Sequence, residues 1–486
     1  MCVLSLSIVS DLVGHDLVGH TDHDGAVRRL RASYDAIPDG APVRLAKRTT
    51  NLFRPRDATD APGLDVSGLT GVISVDIDPE TGEATADVQG MCTYEDLVAV
   101  TLARGYIPYV VPQLRTITLG GAVTGLGIEA TSFRNGLPHE SVVEMDVFTG
   151  AGEVVTCSRD VESRLFFAFP NSYGTLGYST RIRILLEKAP GWVRLRHVRF
   201  DDADAAAAAI ARIVTDRSDA GVRVDAIDGT AFSPGEIYLT LAEFTATDPA
   251  ADGEDVSDYT GQQIYYRSVR ERTTDVLTMA DYLWRWDTDW FWCSGAFGAQ
   301  NPLIRRVWPR KYRRSDVYQR FVGLDTKYAL ARRLDRIKRN GIAQRERVIQ
   351  DIEVSVDRLA EFLRWFDDEV GMRPVWLCPL RLREPDGPGS ATHWPLYPLE
   401  PATTYVNVGF WGTVAVPADA PPGMVNRRVE TEVHALGGHK SLYSEAFYDA
   451  DTFAELYNLP HLAEVKAMYD PKDRLTGLYE KAVKRR

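Results

Sequence analysis

The sequence predicts an α+β protein of two domains, and three observations predict it. Between Val43 and Ala189, short β-rich runs alternate with Gly, Pro and Asp and enclose a single well-marked helix. Near Gly191 the chain changes character, and strands begin to alternate with longer helices. Later, residues 357–370 carry Leu359, Phe362, Leu363, Phe366 and Val370 at i, i+3, i+4, i+7 spacing, ahead of two apolar strands. A C-terminal domain built on an antiparallel sheet covered by helices is therefore expected. The plan is a flexible lead over 1–25, a first domain over 26–190, a second over 191–455 and a helical tail over 456–486.

In order, VRLAKRTTNLF, GVISVDI, ATADVQG, YIPYVVP, SVVEMDVFT, EVVTCS and YSTRIRILLE read as strands. Thr93–Gly105 reads as the helix among them, with Thr93 as N-cap and Glu95 and Asp96 in the first turn. Beyond Gly191, WVRLRHVRF is a strand, DDADAAAAAIARIV a helix, and DAIDGTAF and EIYLTLAEFTA strands. PVWLCPL and YVNVGFWG close the second sheet.

The 486 residues carry a formal net charge of −12, which repels a polyanionic backbone, so nucleic acid is not an expected partner. Five cysteines are scattered without a CxxC pair or zinc-ligand spacing, which fits reduced thiols in a cytoplasm and no metal site. His15 and His20 in the tandem DLVGHDLVGH are the one weak metal candidate. No run approaches the length of a membrane-spanning helix, so any membrane contact is expected to be peripheral. The stretch DYLWRWDTDWFW, with Trp284, Trp286, Trp290 and Trp292, and the basic run RRVWPRKYRR suit a lipid surface. A buried strip and a solvated helix face would produce the same residues.

Glycines mark the densest special backbone. TITLGGAVTGLGIE holds Gly120, Gly121, Gly125 and Gly127, and NSYGTLGYST holds Gly174 and Gly177. Backbone without side chains can approach a phosphate, so two such stretches and the strand end Ala46–Asn51 can converge on one diphosphate-bearing cofactor. Three unrelated tight turns would also use these glycines. Gly125, Gly127 and Ala130, with Asp146 beyond, match the dinucleotide fingerprint, but ATSFRNGLPHE lacks the helix that motif requires.

TLGGAVTGLGIE, NGLPHESVVEMDVFTGAGEVV and SRDVESRLFFAFPNSYGTLGYSTRIRI together resemble the PCMH-type FAD-binding domain of the vanillyl-alcohol oxidase superfamily. WLCPLR, YVNVGFWG and SLYSEAFYDADTF extend the resemblance to the branch containing sterol 24-reductase. Within it, the sequence is most similar to the actinobacterial flavoproteins that reduce a 10-methylene fatty acyl chain to 10-methyl in tuberculostearic acid synthesis. The resemblance implies FAD, with Gly120, Gly121, Thr124, Gly125 and Gly127 along the pyrophosphate and Thr116, Leu119 and Ile128 beside them. Gly174, Gly177, Tyr178 and Thr180 would lie nearer the ribose and adenine, and Lys47, Thr49, Thr50 and Asn51 in the first phosphate loop. LAKRTTN lacks the His-containing form that carries covalent flavin, so non-covalent FAD is expected.

The implied reaction adds hydride to one carbon of an isolated C=C bond of a lipid and a proton to the other, with NADPH as donor. Candidates for the acid are Glu129, His139, Arg381, Tyr405, His439, Lys440 and Tyr443. Each has a structural alternative: a turn cap for Glu129, an ion pair for Arg381, a core hydroxyl for Tyr443. The competing readings are an FAD-dependent oxidase or dehydrogenase of an alcohol or hydroxy acid, and a lipid-binding protein with a decayed flavin site. Oligomeric state is not readable.

Overall fold

The computed structural model describes residues 22–46, 53–54, 62–125, 127–249, 253–320 and 344–484. The doublet His15/His20 and the loop residues Lys47, Thr49, Thr50 and Asn51 lie outside them. Among the described residues, a first antiparallel sheet contains β1 (Val72–Ile77), β2 (Ala84–Gln89), β3 (Tyr106–Pro108), β4 (Val142–Phe148), β5 (Val154–Ser158) and β6 (Tyr178–Lys188). Its order is β1-β2-β6-β4-β5, with β3 also on β6. The helix Tyr94–Leu102 starts at Thr93, whose hydroxyl accepts from Asp96 N, as expected of an N-cap. YIPYVVP forms a strand only over Tyr106–Pro108, and the start of VRLAKRTTNLF makes isolated bridges, Val43 to Leu475 and Leu45 to Leu64.

The second sheet contains β7 (Trp192–Phe200), then, after a small pair of β8 (Ser218–Asp219) and β9 (Val222–Arg223), β10 (Ala226–Ser233), β11 (Glu236–Thr245), β12 (Thr274–Thr278), β13 (Gln344–Ser355), β14 (Val375–Leu380), β15 (Tyr405–Val416) and β16 (His439–Lys440). Its order is β12-β7-β11-β10-β14-β15-β13-β16, and its pairings are antiparallel. Strand period sorts its residues between two faces. Leu377, Val406, Val408, Phe410, Ile352 and Val354 point to a core shared with the helices Ala203–Asp216, Leu359–Glu369 and Met424–Ala435. Trp376, Cys378 and other residues of the opposite face join the core that also holds the first sheet. The architecture is the expected two-domain α+β fold.

The aromatic stretch corrects one expectation. Trp284, Trp286 and Trp290 are buried, and Trp292 is partly buried against the same core, so these rings do not face a lipid surface. In the basic run, Arg305 is buried in a two-pronged pair with Asp289 (2.7 and 3.0 Å), and Arg314 pairs with Glu95. No helix among the described residues is long and apolar enough to cross a membrane. The tail returns to the first sheet: Ala151 N donates to Tyr469 O (3.0 Å), and the Asp470 carboxylate accepts from Arg474 N and Leu475 N (both 2.8 Å).

Candidate active site

The glycine-rich stretch becomes the short helix Leu119–Gly125. Three glycines in seven residues give it poor intrinsic propensity, so tertiary contacts hold it. Leu119 N donates to Cys92 O and Gly120 N to Gly90 O, both at 2.9 Å, while Leu119, Ala122 and Val123 enter the core. A Cβ on Gly120 would stand 2.6 Å from Gly90 O, so only glycine allows this approach. The helix ends at Gly125 instead of starting there, which removes the dinucleotide fingerprint, and Asp146 is engaged by Arg181 at 2.7 Å.

This helix forms one wall of a cavity of about 400 Å³, a volume suited to a small-molecule or cofactor site. Of the glycines, Gly120, Gly121, Gly125, Gly127, Gly174 and Gly177 line it, with Thr116, Thr124, Ile128 and Tyr178. A Cβ on Gly121 would meet only Thr118 Oγ1 (2.9 Å) within 4 Å, so this backbone faces open cavity and a larger side chain would grow into it. Opposite, Asn171, Tyr173 and Gly174 hold φ of 63°, 49° and 75°, a strained turn of the kind that concentrates at functional sites. Gly177, at φ 143°, lies so close to β4 that a Cβ would be 2.5 Å from Phe148 O. A side-chain-free wall with threonine hydroxyls fits the phosphates of FAD.

The far wall comes from the second sheet and is aromatic and polar. Trp376, Asn407, Trp411 and Asp351 line it, with Trp290, Phe291, Ser441 and Tyr443 from adjoining loops. Phe291 stacks on Trp411 with centroids 4.3 Å apart. Asp351 faces Gly409 across the β13–β15 ladder, and Asn407 Nδ2 donates to Asp351 Oδ1 at 2.9 Å. Trp411 Nε1 donates to the Tyr443 hydroxyl at 2.9 Å. Enclosure pushes the Asp351 carboxyl up to about 6, against hydrogen bonds from Asn407 and Tyr443, and pushes the Tyr443 phenol well above its usual value.

The remaining predicted residues lie elsewhere. Leu119 and Thr180 are buried in the frame, with Thr180 Oγ1 donating to Asp146 O (3.3 Å). Glu129 is buried beside Arg285 (3.3 Å), which also binds Asp228 (3.0 Å), and burial raises Glu129 to about 7. His139 is buried edge-on to Trp394 (4.4 Å), and loss of solvent lowers it to about 3, leaving a neutral imidazole. Arg381 pairs with Glu384 (3.1 Å), the Tyr405 hydroxyl accepts from Glu400 N (3.2 Å), His439 is buried among Tyr397 and Tyr457, and Lys440 binds Glu430 (2.5 Å). Of the catalytic candidates, only Tyr443 reaches the cavity.

Sequence reading missed Asp351, Asn407, Arg54 and Lys481. Arg54 Nη1 donates to Leu442 O (2.9 Å) and stands over the Tyr173 ring (5.3 Å); Lys481 Nζ donates to Gly174 O (2.8 Å). A local signal existed for Asn407, a polar residue within the apolar strand YVNVGFWG; Asp351 had none, because QRERVIQDIEVS reads as a charged edge. Lys481 had none, because the returning tail brings it in.

A family model described as an FAD binding domain matches residues 30–158. The chain is similar to the Delta(24)-sterol reductase homolog of Caenorhabditis elegans, 25% identical over 452 residues, covering 85% of this chain and 77% of that protein. It is similar to the Delta(24)-sterol reductase of Homo sapiens, 22% identical over 417 residues, covering 84% and 76%. The protein is an FAD-dependent oxidoreductase. Its fold is the two-domain PCMH-type fold, and its similarity to the sterol reductases runs over most of both chains. Similarity to cytokinin dehydrogenase 10 of Oryza sativa subsp. japonica, 39% identical over 232 residues, covers 41% of this chain and 40% of that one.

Proposed function

We propose that this flavoprotein reduces an isolated C=C bond of a lipid, the 10-methylene group of a phospholipid-linked fatty acyl chain being the specific substrate and NADPH the electron donor. The observation that carries the reading is the composition of the cavity: a glycine and threonine wall at one side and an apolar aromatic wall of Trp290, Phe291, Trp376 and Trp411 at the other. Similarity to sterol reductases over most of both chains supports C=C chemistry on a lipid.

In this reading residues 26–190 bind the cofactor and 191–455 present the substrate. Gly120, Gly121, Thr124, Gly125 and Gly127 hold the FAD pyrophosphate, with Thr116 and Ile128 flanking it and Gly174, Gly177 and Tyr178 toward the ribose. When bound, FAD supplies the hydride. The four aromatic rings orient an apolar chain and exclude water from it. Leu303 and Val307, 78% and 79% exposed, lie beside the exposed cations Arg306 and Lys311 in an otherwise acidic chain, which suits peripheral contact with an anionic bilayer.

The test is anaerobic. NADPH should bleach the flavin of purified protein, and a 10-methylene acyl phospholipid should restore its colour while gaining two hydrogens by mass spectrometry. Inert lipid with fast reoxidation by air, and reduction by an alcohol or hydroxy acid, would replace this reading with an oxidase or dehydrogenase.

A further inference from the structure

We propose that Asp351 is the catalytic acid of this site, its carboxyl giving a proton to the double-bond carbon that does not receive the hydride. The inference rests on the C=C reductase reading and assigns the proton source that reading requires.

Among the described residues that line the cavity, Asp351 is the one carboxyl; the other titratable groups there are arginines, a lysine and tyrosines. Its position is built into the sheet. Asp351 on β13 faces Gly409 on β15, and Gly409 separates Asn407 from Trp411 on the same face of that strand. A Cβ on Gly409 would lie 2.5 Å from Asp351 Oδ1 and 2.6 Å from Trp411 Cη2. The missing side chain thus lets the carboxyl and the indole share one space at the cavity wall. Asn407 binds Oδ1, which leaves Oδ2 to carry a proton. Since the Tyr443 oxygen accepts from Trp411 Nε1, its own O–H is directed to another acceptor, and the adjacent Asp351 carboxylate is such a group.

An isolated alkene is a weak base, so a carboxylic acid is better matched to it than a phenol. Trp290, Phe291, Trp376 and Trp411 present π-electrons that favour a centre gaining positive charge. In the balanced step the π bond breaks, one carbon bonds to the Asp351 proton and the other to hydride. The lipid gains two electrons, which leave the reduced flavin, and the Asp351 carboxylate regains its proton from water. The groups facing Asp351 are Glu353 two residues along β13, Tyr443, Cys378 on β14 opposite Asn407, and Tyr173 with Arg54 above it; His439 stands opposite Glu353.

The experiment compares wild type, D351N and D351E as holoenzymes. FAD stoichiometry and the visible spectrum between pH 4.5 and 8.5 are recorded first. Each is then reduced with one equivalent of dithionite and mixed anaerobically with vesicles of a 10-methylene acyl phospholipid. Wild type should show a spectral step with a midpoint near pH 6 that D351N lacks, and D351N should reoxidise about 100-fold or more slowly. D351E, which keeps a carboxyl, should recover part of the rate and regain a step. If D351N does not retain FAD, the proposal is judged on D351E, whose step and pH–rate midpoint must move together.

Reoxidation of D351N within threefold of wild type, or a step that survives in D351N, overturns the proposal alone. A wild type that no alkene lipid reoxidises overturns the C=C reading, and the proposal with it.

Discussion

His139 combines a polar ring with a site that offers it no hydrogen-bond partner among the described residues: neither ring nitrogen is satisfied, and the ring packs on Trp394. Its folded-state value near 3 lies below the ordinary 6.5, so between these values the unfolded chain holds a proton that the folded chain does not. Stability due to this group is complete above pH 6.5 and falls as pH drops toward 3, by roughly 1.4 kcal/mol per pH unit. Glu129 and Glu140, raised to about 7 by burial, act in the opposite sense, losing stability as pH rises from 4.5 to 7. H139F should therefore give a shallower acid decline than wild type when urea midpoints are compared between pH 4 and 6.5, with flavin content and turnover retained. Parallel pH curves would contradict the burial argument, and lost turnover with intact flavin would return His139 to the chemistry.

The strands and turns around the cavity show why some elements were readable and others were not. YVNVGFWG and PVWLCPL carry apolar runs that only a buried strand explains, whereas β13 reads QRERVIQDIEVS, with charges that resemble a solvated edge. It is a strand because β15 and β16 flank it and its polar face meets the cavity. The turn before β6 depends more on glycine. Gly177 combines φ 143° with close approach to Phe148 O, so G177V combines backbone strain with a clash against β4. Purified G177V should carry less than a tenth of wild-type FAD by absorbance at equal protein concentration. Full yellow colour at stoichiometric flavin would show that this turn does not support the cofactor.

Taken as a whole, the molecule places two sheets so that a cavity draws on both, and its outside carries an uneven patch. Leu303 and Val307 are the most exposed large apolar side chains among the described residues, with Ile304 and Tyr312 nearby. Arg305 anchors this segment to Asp289, next to the cavity residue Trp290. The double variant L303D/V307D should lose at least half of its flotation with phosphatidylglycerol vesicles, and raised salt should weaken binding of the wild type. Its FAD content should stay at the wild-type level, since neither residue lines the cavity. Unchanged flotation would exclude this patch as the contact.

Much of the frame was legible from one sequence because it depends on local pattern: two-residue alternation marked most strands, 3.6-residue spacing marked the helix Leu359–Glu369, and Thr93 capped its helix as its side chain allows. The glycines of TLGGAVTGLG signalled close backbone approach, since no other residue permits it. What the sequence did not reveal depends on contacts distant along the chain. Asp351, Asn407 and Tyr443 meet because β13 and β15 pair in one register and the segment after β16 runs beside β13 at Asp351, where Ser441 N donates to Asp351 O. Glu129, His139, Arg381 and Tyr405 are equally capable acids or bases by residue type, yet packing sends them into ion pairs and core. Chemical type is local, whereas burial and partnership are set by which strands become neighbours.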